Sequence, residues 1–71
     1  MSTVTDPTAT VTSQELSVLR LLADGLSVDA VGRRLNLSER TVRRRTKAVC
    51  DRLGMRTAVQ AIVWAAHRGL L

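Results

Sequence analysis

The segment 38–53 constrains the fold of this chain more than any other part of its sequence. It opens with Ser38, a residue type that caps helices, and then places five basic side chains within eight consecutive positions. Val42, Val49 and Leu53 recur at helical spacing along the same segment. At 3.6 residues per turn, the apolar and the basic residues fall on separate stripes. The sequence therefore predicts a helix with one face in a core and one strongly positive face.

The positive face has a composition that suits a polyanion. Its stripe consists of Arg40, Arg43, Arg44 and Lys47. A short helix that presents such a stripe fits the major groove of duplex DNA. The alternative is a solvated face with excess arginine for solubility, although solvated faces usually mix charge signs as Glu/Lys pairs.

Composition limits the other classes of protein. The chain has 71 residues, which is enough for one domain, and Trp64 is its one aromatic residue. The core must therefore consist of Leu, Val, Ile and Ala, which suits packed helices. One cysteine and one histidine can form neither an internal disulfide nor a zinc site. We expect no metal and no cofactor, and a reducing cytoplasm as the location.

The charge of the chain is unevenly distributed. The net charge is +5, and the segment 33–56 holds nine of the eleven basic residues, with Glu39 and Asp51 as its acids. A local basic block of this kind predicts a nucleic-acid partner. No apolar run approaches the ~20 residues of a membrane span, and the N-terminus lacks the features of a secretory signal. We therefore expect no membrane partner.

Capping signals divide the chain into four predicted helices. Residues 1–10, rich in Ser and Thr, are predicted to be a flexible arm or linker ahead of a domain over 11–71. Thr12 and Glu15 form a capping box that starts the first helix, and Gly25 ends it. The first helix is therefore predicted to lie between these two signals.

The next three helices follow from the same kind of signal. Ser27 caps a helix over 28–35, in which Gly32 predicts a close approach of a neighbouring helix. Ser38 caps the basic helix, which ends at Gly54, and a fourth helix runs from residue 57 to about residue 68. Two helices joined by about three residues, the second one basic, match the helix-turn-helix pattern.

Three stretches of the chain resemble the LuxR/GerE-type DNA-binding domain. They are Val11, Thr12 and Glu15 followed by VLRLLADGLS at 18–27, LNLSERTVR at 35–43, and LGMR at 53–56 together with the Gly-Leu-Leu ending. The resemblance covers about 11–71 without an insertion. It implies an all-α, compact four-helix domain in which helices 2 and 3 form a central helix-turn-helix. It also implies that helix 3 lies in the major groove and that the C-terminal helix dimerises.

The resemblance implies roles for individual side chains. The groove-facing, base-reading positions are Arg43, Arg44 and Lys47. Positions near the DNA backbone are Ser27, Arg40 and Thr41. The flanking arginines and the second helix cap are predicted to be further backbone contacts, because arginine neutralises phosphates and helix N-termini present free N–H groups. These are Arg34, Ser38, Arg45 and Arg56.

The chain departs from the family at three positions. Arg45 stands where the family often has His, so a usual contact becomes longer and permanently charged. Ser17 stands where family members often carry a second acid, and Ala58 where they often have Arg. Because the acid at position 17 and the arginine at position 58 are lost together, we expect this protein to do without an ion pair that its relatives contain.

The fourth helix is predicted to be apolar on two sides. One stripe, which includes Ala61 and Ala65, faces the other helices, and a second face needs cover from elsewhere. A twofold dimer is the simplest cover, and the interface residues are predicted to be Val59, Val63, Trp64, Ala66 and His67. The alternative is a broad core face in a monomer, with Trp64 at the exposed edge of the core.

The predicted function is that of a sequence-specific transcription regulator. It would bind duplex DNA as a homodimer on an inverted-repeat site, with RNA polymerase as a further candidate partner. The alternatives are a sigma-factor-like promoter-binding domain, which the apolar fourth helix argues against, and a protein-interaction module that uses helix 4. An enzyme is not expected, because His67 is isolated and Cys50 lies on the inward side of helix 3.

Overall fold

The computed structural model describes residues 11–71, which form four α-helices joined by short loops. These are α1 (Ser13–Ala23), α2 (Val28–Leu35), α3 (Glu39–Leu53) and α4 (Ala58–His67). No strand occurs within 11–71, so the predicted all-α class is confirmed. The arm predicted for 1–10 lies outside the described residues.

Each helix begins at a side-chain cap, because the first N–H groups of a helix have no partner within it. Thr12 accepts a hydrogen bond from the Glu15 N–H at 3.1 Å, and the Glu15 carboxylate accepts one from the Thr12 N–H at 2.9 Å. Ser27 and Ser38 cap α2 and α3 in the same way, at 3.1 and 3.0 Å. The predicted starts of these three helices are therefore confirmed.

The helix α4 begins with a capping box that the sequence interpretation did not include. Thr57 accepts from the Gln60 N–H at 3.2 Å, and the Gln60 side chain accepts from the Thr57 N–H at 3.3 Å. The same amide oxygen accepts from the Arg56 N–H at 2.7 Å. This second box holds the α3–α4 loop against the first turn of α4.

The core consists of two apolar clusters that meet at α1. Val18 packs with Val31 and Val42, which joins α1 to the helix-turn-helix. Its neighbour Leu19 packs instead with a second cluster that includes Val49, Cys50, Ala61 and Ala65, joining α1 to α3 and α4. Adjacent residues of a helix point about 100° apart, so α1 can serve both clusters. The helix α3 is thus held from two sides, and this leaves its remaining face outward.

The close approach at Gly32 differs from the one we expected. A Cβ atom built on Gly32 would lie 2.5 Å from the backbone oxygen of Leu37, which belongs to the turn after α2 and not to a neighbouring helix. The Leu37 N–H also donates to the Gly32 carbonyl at 2.7 Å. Asn36 reverses the chain there in the left-handed region, with φ +60°. Gly32 therefore allows the turn of the helix-turn-helix to fold back on α2.

An ion pair between α1 and α3 fixes the far end of α3. Glu15 is buried at 7% exposure, and its carboxylate accepts hydrogen bonds from the Arg52 guanidinium and from the Thr12 N–H. Burial alone would raise the pKa of Glu15, but the Arg52 hydrogen bond and charge, with the bonds to Thr12, outweigh it and leave the pKa lowered. The carboxylate is therefore ionised at neutral pH and ties the start of α1 to the end of α3.

Candidate nucleic-acid interface

The basic stripe predicted for α3 forms its outer face. Arg40, Arg43, Arg44 and Lys47 are all exposed. On the opposite side of the same helix, Val42 and Val49 are buried at 0% and 1% exposure. The core therefore fixes the rotation of α3 about its axis, and that rotation presents the three predicted base-reading residues together.

The three predicted reading residues differ in how the protein holds them. Arg43 donates from Nε and Nη2 to one oxygen of Glu39, at 3.2 and 2.8 Å. Lys47 Nζ lies 3.0 Å from Oδ2 of Asp51. Arg44 makes no ion pair with any residue in 11–71. Arg43 and Lys47 thus each form an ion pair with a carboxylate one helical turn away. Arg44 forms no such pair within 11–71.

Arg45 points away from this stripe. Its Nη1 donates to the side-chain oxygen of Gln14 on α1, and the residue is half-buried. Its buried Nε has no hydrogen-bond partner within the described part of the chain. The structure therefore does not bring Arg45 together with Arg43, Arg44 and Lys47.

The N-terminus of α3 carries two hydroxyl groups in contact. The Ser38 hydroxyl accepts from the Thr41 N–H and donates to the Thr41 hydroxyl oxygen at 2.8 Å. The Thr41 O–H therefore remains available as a donor. Ser27 caps α2 and is exposed. Both helix N-termini thus end in exposed capping serines, the arrangement in which backbone N–H groups can meet an anion.

The flanking arginines lie on other elements. Arg34 is exposed on α2, and Arg56 is exposed in the α3–α4 loop. Arg56 lines an open groove of about 680 Å³ together with Arg43 and Lys47 of α3. The loop therefore adds a cation beside the basic face of α3.

The outer face of α4 is apolar, and within residues 11–71 it is exposed. Val59 and Val63 are 67% and 50% exposed, and Ala66 and His67 are exposed beside them. Trp64 differs from these four because it is half-buried and packs against the core cluster. The Arg68 guanidinium lies 5.0 Å from the centre of its ring. Trp64 is therefore held by the protein's own residues.

Other kinds of site find little support in residues 11–71. No group of three or more His, Cys, Asp or Glu side chains there could hold a metal ion. Burial and the neighbouring Asp51 charge raise the pKa of the Cys50 thiol, although Lys47 opposes them. Cys50 is therefore held as a thiol in the core. None of the helices of this region is long and apolar enough to cross a membrane.

Sequence interpretation missed the carboxylate partners of Arg43, Lys47 and Arg52. Glu39 and Asp51 each lie four residues from their cation on α3, a spacing that favours ion pairs, so the sequence contained that signal. Glu15 and Arg52 lie 37 residues apart, and no local pattern links them.

A capped helix, a three-residue turn and a second helix with an exposed basic face define a helix-turn-helix DNA-binding domain. The sequence profile of the family described as bacterial regulatory proteins, luxR family (GerE), matches residues 9–65. This chain therefore belongs to the LuxR family of bacterial regulatory proteins, as its motifs indicated. The members of this family are DNA-binding transcription regulators.

Three curated relatives illustrate the match. The chain is 35% identical over 60 residues to the transcriptional regulatory protein YdfI of Bacillus subtilis, covering 84% of this chain and 28% of the relative. It is 37% identical over 62 residues to the DNA-binding transcriptional activator DevR/DosR of Mycobacterium tuberculosis, covering 87% and 29%. It is 38% identical over 65 residues to the nitrate/nitrite response regulator protein NarP of Escherichia coli, covering 90% and 30%. The chain thus spans less than a third of the length of each.

Proposed function

We propose that this chain is a sequence-specific DNA-binding domain that regulates transcription by placing α3 in the major groove. The observation that carries this proposal is the exposed basic face of α3, held outward by Val42 and Val49 in the core. A helix presented in this way matches the width and the negative potential of the groove. Because its target is chromosomal DNA, it would act in the bacterial cytoplasm.

The proposed roles differ by the chemistry of each side chain. Arg43 and Arg44 present paired donors to guanine O6 and N7, and Lys47 acts as a point charge toward a base or a phosphate. The other contacts go to phosphates, which position the domain without reading sequence. These backbone contacts are Ser27, Arg34, Ser38, Arg40, Thr41, Arg45 and Arg56. For Arg45 this role requires its guanidinium to reach a phosphate from beside α1.

Arg43→Ala should reduce discrimination between DNA sequences, and Arg34→Ala should not. A lost bidentate guanine contact removes about 1–3 kcal/mol of discrimination at that base pair. A lost phosphate contact weakens binding to every sequence about equally and reduces the salt slope by about one. The measurement is a fluorescence titration of both variants with a duplex selected from a random pool and with a scrambled duplex, at several salt concentrations.

Arg34→Ala serves as the matched control in this titration, since it removes the same side chain and charge from α2. If Arg43→Ala left the ratio of the two affinities unchanged, the base-reading assignment would be wrong. A binding constant that barely changes with salt would favour a protein-interaction module, because phosphate contacts require counterion release.

We also propose that two copies pair through α4 on DNA. The support is the apolar outer face of α4, where Val59 and Val63 are the large exposed apolar residues. Pairing would cover this face and place two α3 helices about 34–36 Å apart, one turn of DNA. Ala66, His67 and the exposed edge of Trp64 complete the proposed interface. The corresponding site is an inverted repeat.

Val63→Glu should abolish cooperative binding to a duplex with two half-sites, while its affinity for a single half-site should equal that of Ala23→Glu, which carries the same net charge. A charge in the apolar contact is left unpaired and desolvated, so pairing loses its stabilisation. Ala23→Glu is the control, because it adds the same charge at an exposed position on α1. Equal cooperativity in the wild type and Val63→Glu would contradict pairing through α4.

A further inference from the structure

The carboxylate of Glu39 occupies one edge of the Arg43 guanidinium. Glu39 is the first residue of α3, and its Oε2 accepts from both Nε and Nη2 of Arg43. We propose that Glu39 is a positioning residue for Arg43, and that it increases the preference of this domain for its target sequence over other duplexes. This inference rests on the proposed function, since it concerns how α3 reads DNA.

The geometry leaves Arg43 able to bind Glu39 and a base at the same time. A guanidinium has five N–H donors in a fixed plane, and Glu39 uses two of them along the Nε–Nη2 edge. Three donors remain, at the Nη1 end and on the outer side of Nη2. Those donors can form the two parallel bonds that guanine accepts. The carboxylate thus defines the plane in which the free end of Arg43 lies.

The negative charge of Glu39 also increases the preference for the target sequence over other duplexes. Near DNA a carboxylate is repelled by the phosphates unless a cation compensates it. Arg43 compensates Glu39 while it stays in the paired orientation. If Arg43 moves to a phosphate in a non-target complex, Glu39 is left uncompensated in a negative field. The pair therefore disfavours non-target complexes more than the target complex, which is how repulsion contributes to specificity.

Among the three proposed reading residues, Arg43 alone combines an ion pair with a planar head group. Lys47 is also paired, with Asp51 at 3.0 Å, but an ammonium group is a point charge whose donors rotate freely. Arg44 is planar but has no ion pair within 11–71. A carboxylate can therefore fix the orientation of the Arg43 head group, whereas it has no such effect on Lys47 or Arg44.

The test compares variants that remove the same charge. Glu39→Ala removes the charge and the acceptor, and Glu39→Gln removes the charge but keeps an acceptor oxygen. Asp29→Asn is the matched control, because Asp29 forms an exposed pair with Arg33 four residues along α2, at 3.3 Å. Each 71-residue variant is titrated with the duplex selected from a random pool and with a scrambled duplex, and thermal melting checks the fold.

All three variants should bind the scrambled duplex more tightly, because each raises the net charge by one. Asp29→Asn should leave the ratio of selected to scrambled affinity unchanged. Glu39→Ala should reduce that ratio by roughly three- to tenfold, part of the discrimination of a bidentate guanine contact, and Glu39→Gln should reduce it less. A selective wild type whose ratio is unchanged by Glu39→Ala would overturn the positioning role and leave the proposed function standing.

A double-mutant cycle separates positioning from direct base contact. In an Arg43→Ala background, Glu39→Ala should have no effect on the ratio, because the residue through which Glu39 acts is absent. If it still reduced the ratio, Glu39 would read a base itself, for example cytosine N4, and the positioning role would be wrong. A wild type that binds all duplexes equally would instead overturn the proposed function.

Discussion

Gly32→Ala should lower the free energy of unfolding by about 1–3 kcal/mol, the range typical of overpacking. Alanine normally stabilises a helix interior relative to glycine by about 1 kcal/mol, so propensity predicts the opposite sign. The clash should prevail because the new Cβ would lie 2.5 Å from the Leu37 carbonyl oxygen, a backbone atom. The 2.7 Å hydrogen bond from the Leu37 N–H to the Gly32 carbonyl holds the turn at that position.

The same substitution should weaken DNA binding, because a displaced turn changes the orientation of α3 relative to α2. Chemical denaturation and duplex titration measure the two effects. Arg33→Ala is the control for the unfolding measurement, because it places alanine at the neighbouring, exposed position of α2. A Gly32→Ala variant as stable as the wild type would show that the turn accommodates the methyl group and that no clash decides the stability.

Arg52→Ala should destabilise the domain by about 1–3 kcal/mol at neutral pH, because it leaves the buried Glu15 carboxylate without its cation. A domain of this size has a marginal total stability, so the loss is a large fraction of it. The side chain of Arg52 is itself 39% exposed, which keeps the expected loss below that of a fully buried pair. Arg33→Ala again serves as the control, since its pair with Asp29 is exposed and contributes little.

The difference in stability between the wild type and Arg52→Ala should depend on pH. The pKa of Glu15 is lowered by folding, so its stabilisation is present above the unfolded-state pKa and is lost as pH falls through the folded one. The difference should be full above about pH 5 and should shrink below about pH 4. Denaturant unfolding at pH 7 and at pH 3 measures it. A difference that is the same at both values would mean that Arg52 acts through packing and not through charge.

Much of the fold could be predicted because its determinants are local. Thr12, Ser27 and Ser38 each cap a helix by binding an N–H group three residues ahead, and such pairs can be recognised in a sequence. The helical spacing of the basic and the apolar residues likewise predicted which face of α3 would be exposed. The reason assigned to Gly32 was wrong, because the group that approaches it is the backbone oxygen of Leu37 in the following turn, an atom that helical periodicity does not locate.

The candidate site also has features that the sequence predicts and features that only the tertiary structure decides. The stripe of Arg40, Arg43, Arg44 and Lys47 follows from helical periodicity, so the sequence by itself determined that these cations share one face. The direction of Arg45 and the pairing of Glu15 with Arg52 were decided by the tertiary structure. The first contact joins two residues that are 31 positions apart in the sequence, and the second joins two that are 37 positions apart. Both contacts exist because α1 packs across α3 in one particular arrangement. Periodicity gives the rotation of each helix, whereas the packing of several helices together decides which side chains meet.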